Sequence, residues 1–223
     1  EAITEPLFTQ TVVPGSVLSE STDNVIGTVE MNLSNGLKVV YKQTDFKNDE
    51  VLMTAFSPGG HSLVDDQMYI SATEAADIVS SSGLGPFDQI MFDKYLSDKK
   101  VSVTPYINEL TEGFNGQSTK KDLETMFQMI NLYFNNPKKD PIAFSSYMQK
   151  MKGFIENRNL SPDRVFFDSV KTVVNSNHYR SQSLTLKKLD MVKHDDVMDI
   201  YSNRFSKPED FTFIFVGNID LDV

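Results

Sequence analysis

From position 28 the chain alternates apolar and polar residues with a period of two. Val29, Met31 and Leu33 lie on one side of the Asn35-Gly36 pair, and Leu37, Val39 and Tyr41 resume the alternation beyond it. Period two on both sides of an Asn-Gly turn signal predicts a β-hairpin. Val51 to Phe56 predicts a third strand, ended by Pro58-Gly59-Gly60. The period then lengthens. Met68, Ala72, Ala75 and Val79 share one face of a helix over 67–82, with Thr73 and Asp77 on the opposite side,. The small alanines predict close packing of this helix on the sheet. Ser82 to Pro86 breaks it, and Phe87 to Leu96 predicts a second, shorter helix,.

Two more strands follow, around Val101 to Ile107 and from Leu110 to Asn115, with Gly113 and Gly116 read as bends or bulges,. A helical block comes next. Thr119 to Asp122 resembles a capping box ahead of the stripe Leu123, Met126, Phe127, Ile130 and Phe134,. Asp140-Pro141 and Ser161-Pro162 each give an N-cap followed by a first-turn proline,. The first opens a helix carrying Phe144, Met148, Met151 and Ile155, and the second one carrying Val165, Phe166, Val170 and Val173, stripes read as core. A last helix holds Val197, Ile200, Tyr201 and Phe205, and Phe211 to Val216 forms a closing apolar strand. Strands, then helices, then one buried strand imply an α+β fold, with a mixed, mostly antiparallel sheet and helices on one face. Residues 1–25, with Pro6, Pro14, Gly15 and a polar run from Ser19, read as a linker or extended arm before a single domain over 26–223.

Composition narrows the partners. Among 223 residues the net charge is −10, which argues against nucleic acid, because phosphate neutralisation needs clustered Lys and Arg. No apolar run approaches the roughly 20 residues of a membrane span. Cysteine is absent, so disulfides and thiolate metal sites are excluded. The chain opens at Glu1 without Met or a basic-then-apolar leader, and is expected to be a segment of something longer,.

The ordered elements resemble one domain of the pitrilysin/insulinase-type (M16) zinc peptidases over about Gly27 to Asp220. Leu33-Ser34-Asn35-Gly36-Leu37-Lys38-Val39-Val40 is similar to that family's opening hairpin, and Phe56 to Ser62 to the glycine turn before its metal helix. Ser183 to Leu189, Asp195-Asp196-Val197 and Phe205 resemble its late helical region, and Phe213 to Asp220 its closing strand. The resemblance implies a LuxS/M16-metallopeptidase-like two-layer sandwich. In long members, domains of this kind form two clam-like halves around a closed chamber, and only the first carries zinc. This chain most resembles the third domain of such a four-domain protein.

The family's inverted zinc motif, His-x-x-Glu-His, puts both imidazoles and the water-activating Glu on one helical turn. Alignment on the flanks places Thr73 at the first His, Ala76 at the Glu and Asp77 at the second His. Alanine cannot take a proton from water. Glu156 lies about where the family's third ligand comes from a later helix, but one carboxylate is not a zinc site. The resemblance therefore implies no catalytic residue and no metal in this segment, with zinc expected in another domain of the parent protein.

Other candidates have plainer explanations. His61, His178 and His194 are not at mutual ligand spacing and read as surface or turn residues,. Asp65-Asp66 and Asp195-Asp196 adjoin helix starts, where the dipole favours negative charge. Gly83-Leu84-Gly85 lacks the Lys-Ser/Thr of a phosphate loop. The strand from Val101 to Asn108, if it lies at a sheet edge, could pair with an extended peptide, although Lys99, Lys100 and Pro105 are the protections of an ordinary edge,. The expected function is a non-catalytic part of an M16-like zinc endopeptidase, enclosing peptide and docking on sister domains of the same polypeptide. The alternative is a domain of a proteolytically inactive M16-like partner or scaffold. An extracytoplasmic location, periplasmic or secreted, is what the resemblance implies.

Overall fold

A computed structural model of the chain describes residues 3 and 5–219; Asp220, the end of the expected closing motif, lies outside them. Seven strands form one sheet, β1 (Val17–Asp23), β2 (Thr28–Leu33), β3 (Lys38–Gln43), β4 (Val51–Pro58), β5 (Ser102–Ile107), β6 (Thr111–Ser118) and β7 (Thr212–Gly217). Their spatial order is β1-β2-β3-β7-β4-β6-β5. Every pairing is antiparallel except β3 with β7, where Val39 lies beside Phe213 and Tyr41 beside Phe215. The fold is α+β, with the last strand set in the middle of the sheet.

The helices are α1 (Tyr69–Ser80), α2 (Gln89–Tyr95), α3 (Leu123–Asn135), α4 (Pro141–Asn159), α5 (Pro162–Val174), α6 (Leu186–Leu189) and α7 (His194–Arg204). The alternation in β4 shows which side they cover. Val51, Met53, Ala55 and Ser57 are buried, while Leu52 and Phe56 are exposed on the other face. Against the covered face sits an aromatic cluster centred on Phe114, with ring centroids 4.9 Å from Phe205 and 5.1 Å from Phe134. Phe211 and Phe213 extend it along the closing strand. Asp140 caps α4 through the amides of Ile142 and Ala143, at 2.8 and 3.1 Å.

Four expectations are revised. Regular structure begins before position 25: Val17–Asp23 pairs with β2, Ser21 opposite Glu30 and Asp23 opposite Thr28. This strand is exposed along its length, so it carries no alternation to read. Its turn is built locally, the Asp23 carboxylate accepting from the Val25 amide at 2.8 Å. Gly113 and Gly116 lie in an unbroken β4–β6 register, not at bulges. Gly113 is there because a Cβ would overlap the Ala55 carbonyl oxygen. In α3 the buried side runs through Met126, Met129, Ile130 and Tyr133, and Phe127 is half exposed beside Phe215. In α5 no residue is buried, although its stripe reads as core.

Phe114 is fully buried whereas Phe166 on α5 is 62% exposed, and the two should respond oppositely to truncation. We expect Phe114→Ala to cost about 3–5 kcal/mol of stability and Phe166→Ala, in the isolated chain, less than about 0.5 kcal/mol. Urea midpoints at constant slope measure both.

Candidate functional site

Helix α1 is held at its entrance by two charged groups, one buried and one partly buried. The Glu112 carboxylate is 2% exposed and accepts from the Gly60 amide, fixing the glycine turn that leads into the helix. Arg180 comes from a distant turn. Its guanidinium donates to Asp66 at 2.7 Å and to the carbonyls of His61 and Val64 at 3.0 and 2.7 Å. It also stacks 4.7 Å over the Tyr69 ring, which clamps the loop before α1. Along the helix Ala72 and Ala75 are completely buried, so the backbone approaches its neighbours β5 and α7 closely.

The positions singled out in the sequence lie one turn further on. The Thr73 hydroxyl is 2.8 Å from the Ile70 carbonyl oxygen and 3.2 Å from Glu74 Oε1. It is thereby tied back onto its own helix, a local bond that hydroxyl side chains commonly make. Ala76 is buried and carries no group that can hold a proton. Asp77 is exposed, yet crowding by its neighbours raises its carboxyl above the usual carboxylate value, an effect the Lys150 ammonium opposes. Glu156 is exposed on α4; its neighbour Ile155 is the residue buried in the core. Thr73, Ala76 and Asp77 therefore share one helix, and Glu156 does not complete a group with them.

Two residues of this region were not expected. Glu74 is buried, and the Tyr147 hydroxyl of α4 donates to its Oε2 at 2.8 Å. Burial raises the Glu74 carboxyl; the bonds from Tyr147 and Thr73 act against this without cancelling it. The same contact pushes the Tyr147 phenol upward, burial being the larger cause and the carboxylate the next. A signal for Glu74 was present, since it stands between Ile70 and Ile78 at four-residue spacing, and both are buried,.

The remaining candidates are dispersed. His61, read as a surface or turn residue, lies in the turn Gly60–Leu63 but is buried there, edge-on to Tyr69 at 5.7 Å, its basicity lowered by desolvation. His178 caps a short turn through the Arg180 amide, and His194 stacks on Phe144 at 4.6 Å. Asp66 is paired with Arg180 and Asp195 with Lys139. Among the described residues no group of three or more His, Asp and Glu is placed to hold a metal ion. β5 does form one edge of the sheet, and Lys100 there donates its amide to Asp122 at 3.0 Å. A cleft of about 980 Å³ lies away from α1, between the N-terminal arm and α3, and is lined by Phe8, Val12, Leu123, Phe127 and Ile219 among others.

The Glu74–Tyr147 contact has a pH signature. Above its ordinary value of 4.5 the unfolded chain has released the Glu74 proton, while the folded chain keeps it until the raised native value is passed. Stability therefore falls as pH rises through that window. We expect Glu74→Gln to flatten this part of the profile. Tyr147→Phe, which leaves the carboxylate buried without its donor, should cost about 1–3 kcal/mol at neutral pH. Chemical denaturation at stepped pH measures both.

No family model matches the chain. Two curated proteins do: a zinc protease PQQL-like protein of Arabidopsis thaliana, 26% identical over 99% of this chain, and the probable zinc protease PqqL of Haemophilus influenzae, 22% identical over 86% of it. The chain spans only 21% of the length of each. Among solved structures it superposes on the periplasmic protease PqqL from Escherichia coli with a TM-score of 0.81, at 18% identity, covering 99% of this chain and 24% of that one. The ferredoxin protease FusC, solved in complex with Arabidopsis ferredoxin, gives a TM-score of 0.80 at 17% identity, covering 100% of this chain and 24% of that one. The chain thus has the fold of these M16-type zinc proteases and is similar in sequence to about a fifth of each curated relative.

Proposed function

We propose that this is a non-catalytic domain of an M16-like zinc metalloendopeptidase, which walls part of a closed peptide-binding chamber and docks on the domain that cuts. The observation that carries the reading is Ala76. Aligned on the flanks of α1, it takes the position of the family's water-activating Glu, and it is buried without a group that can hold a proton. Thr73 and Asp77 stand where the two His ligands would be, and neither is an imidazole. The zinc that the relatives' names announce would then belong to another domain of the same polypeptide.

The match of nearly the whole chain to about a fifth of each relative supports further domains of this kind in the parent protein, with this one as the third. Residues 1–25 would be the arm arriving from the preceding half, its last part, Val17–Asp23, joined to the sheet as β1, and 26–223 the rest of the domain. Leu7 in that arm is already buried against the domain, as a docked linker would be. The substrate class is peptide, consistent with FusC having been captured with a protein ligand. The periplasmic PqqL supports a periplasmic or secreted location for the parent protein; no helix among the described residues is long and apolar enough to cross a membrane.

The test compares this segment with the full-length protein on a quenched fluorescent peptide, with metal content read on the same samples. We expect cleavage and bound zinc in the full-length protein and neither in the segment. Cleavage or stoichiometric zinc in the segment alone would overturn the reading. A full-length protein without either would mark an inactive M16-like partner or scaffold instead.

A further inference from the structure

Helix α5 is amphipathic, but its apolar side faces out. Phe166, Phe167, Val173 and Val174 are 62%, 67%, 76% and 75% exposed, and Val170 is 40% exposed. At about 100° per residue these side chains fill an arc of roughly 120°. The side turned inward is more polar. Asp168 and Thr172, one turn apart, are its partly buried members. Asp168 pairs with Arg158 of α4 at 3.1 Å, and the Thr172 hydroxyl lies 2.9 Å from the Asp168 carbonyl oxygen. Of these two contacts only the Asp168–Arg158 pair reaches outside the helix, and the apolar arc has no partner among the described residues.

Exposure of this kind is not explained by helix formation. Val and Phe are weaker helix formers than the Ala, Glu and Lys that suit a solvated helix, yet they supply six of the 13 residues of α5: Val165, Phe166, Phe167, Val170, Val173 and Val174. Contiguous apolar surface of this sort marks an interaction site. Leu160, at the turn into α5, is 80% exposed as well. Charge argues for the kind of partner. Arg164 and Lys171 flank the Phe167 side of the arc, in a chain whose net charge is −10. A second copy would bring the same negative excess, and an anionic lipid surface would be repelled by it. The curated relatives are several times longer than this chain, which covers 21% of each, so ample polypeptide is available to cover the arc.

We propose that the outward face of α5, Phe166, Phe167, Val170, Val173 and Val174, is buried against another domain of the same polypeptide. That domain presents an apolar patch with acidic residues opposite Arg164 and Lys171. The contact deepens the function proposed above by naming the face that docks, and it rests on that reading in taking the chain to be part of a multidomain protein. It makes α5 a fixed hinge plate between domains rather than a wall of the peptide chamber.

Hydroxyl-radical footprinting of the full-length protein, read by mass spectrometry on the α5 peptides, tests this. Phe46, 88% exposed, serves as the internal reference. We expect Phe166 and Phe167 to label several-fold more slowly than Phe46, equally at low and high protein concentration and with or without a substrate peptide. Labelling as fast as Phe46 would overturn the inference, as would protection that grows with protein concentration, which indicates a second copy. Protection that appears only with peptide would also overturn it by making the face a substrate contact. Cleavage measured on the same sample separates the two claims. Protected phenylalanines in an inactive protein leave the domain contact standing while the protease reading fails, and exposed phenylalanines in an active protease do the reverse.

Discussion

The fold depends on the last strand reaching the middle of the sheet. β7 runs parallel to β3 and antiparallel to β4, so among the described strands it is the one that hydrogen-bonds the opening hairpin to the β4–β6–β5 half. Its inward residues Phe213 and Phe215 belong to the same aromatic wall as Phe114. Beyond its end, Tyr41 of β3 donates its hydroxyl to the Ile219 carbonyl. Contacts of such long sequence separation carry a loop-closure cost before any packing compensates it. The helices from α3 to α7 lie between β6 and β7 in sequence, and their return to the sheet sets α4 against α1.

That juxtaposition decides what α1 can do. In a zinc peptidase of this type the outward turn of the helix must keep imidazoles and a carboxylate open to a metal and to water. Here the turn is filled from its own surroundings. Thr73 is bonded back to its helix, Ala76 is packed, and the nearby buried carboxylate, Glu74, is held by Tyr147. A buried carboxylate is a costly structural feature, offset here by the hydroxyls of Tyr147 from α4 and Thr73 from its own helix,. On the proposed reading, the helix retains its role as a spacer between sheet and helices while the chemistry sits elsewhere. The outward-facing α5 adds the complementary half: a surface finished only by the rest of the polypeptide.

Most of the architecture is legible in the chain because burial on one face imposes periodicity. Val29, Met31 and Leu33 opposite Val39 and Tyr41 announce the β2–β3 hairpin, and Asp140-Pro141 marks the start of α4 to the residue. The signal fails where burial and sequence part company. β1 has no buried face and hence no alternation. The valines and phenylalanines of α5 carry a clean helical period, but period alone cannot say whether the covering surface lies within the chain. Glu74 is hidden for the opposite reason: a charged residue reads as solvent-facing unless its place between Ile70 and Ile78 is weighed. Tyr147, its partner from a helix 73 positions on, has no local signature at all.

The most direct test of the central claim, that the outward turn of α1 is packed rather than metallated, is anomalous scattering at the zinc edge from crystals of the full-length protein. The account predicts no anomalous peak between α1 and α4 of this domain, and a zinc peak in another domain. A peak within the roughly 2 Å coordination distance of Glu74 or Asp77 would contradict it.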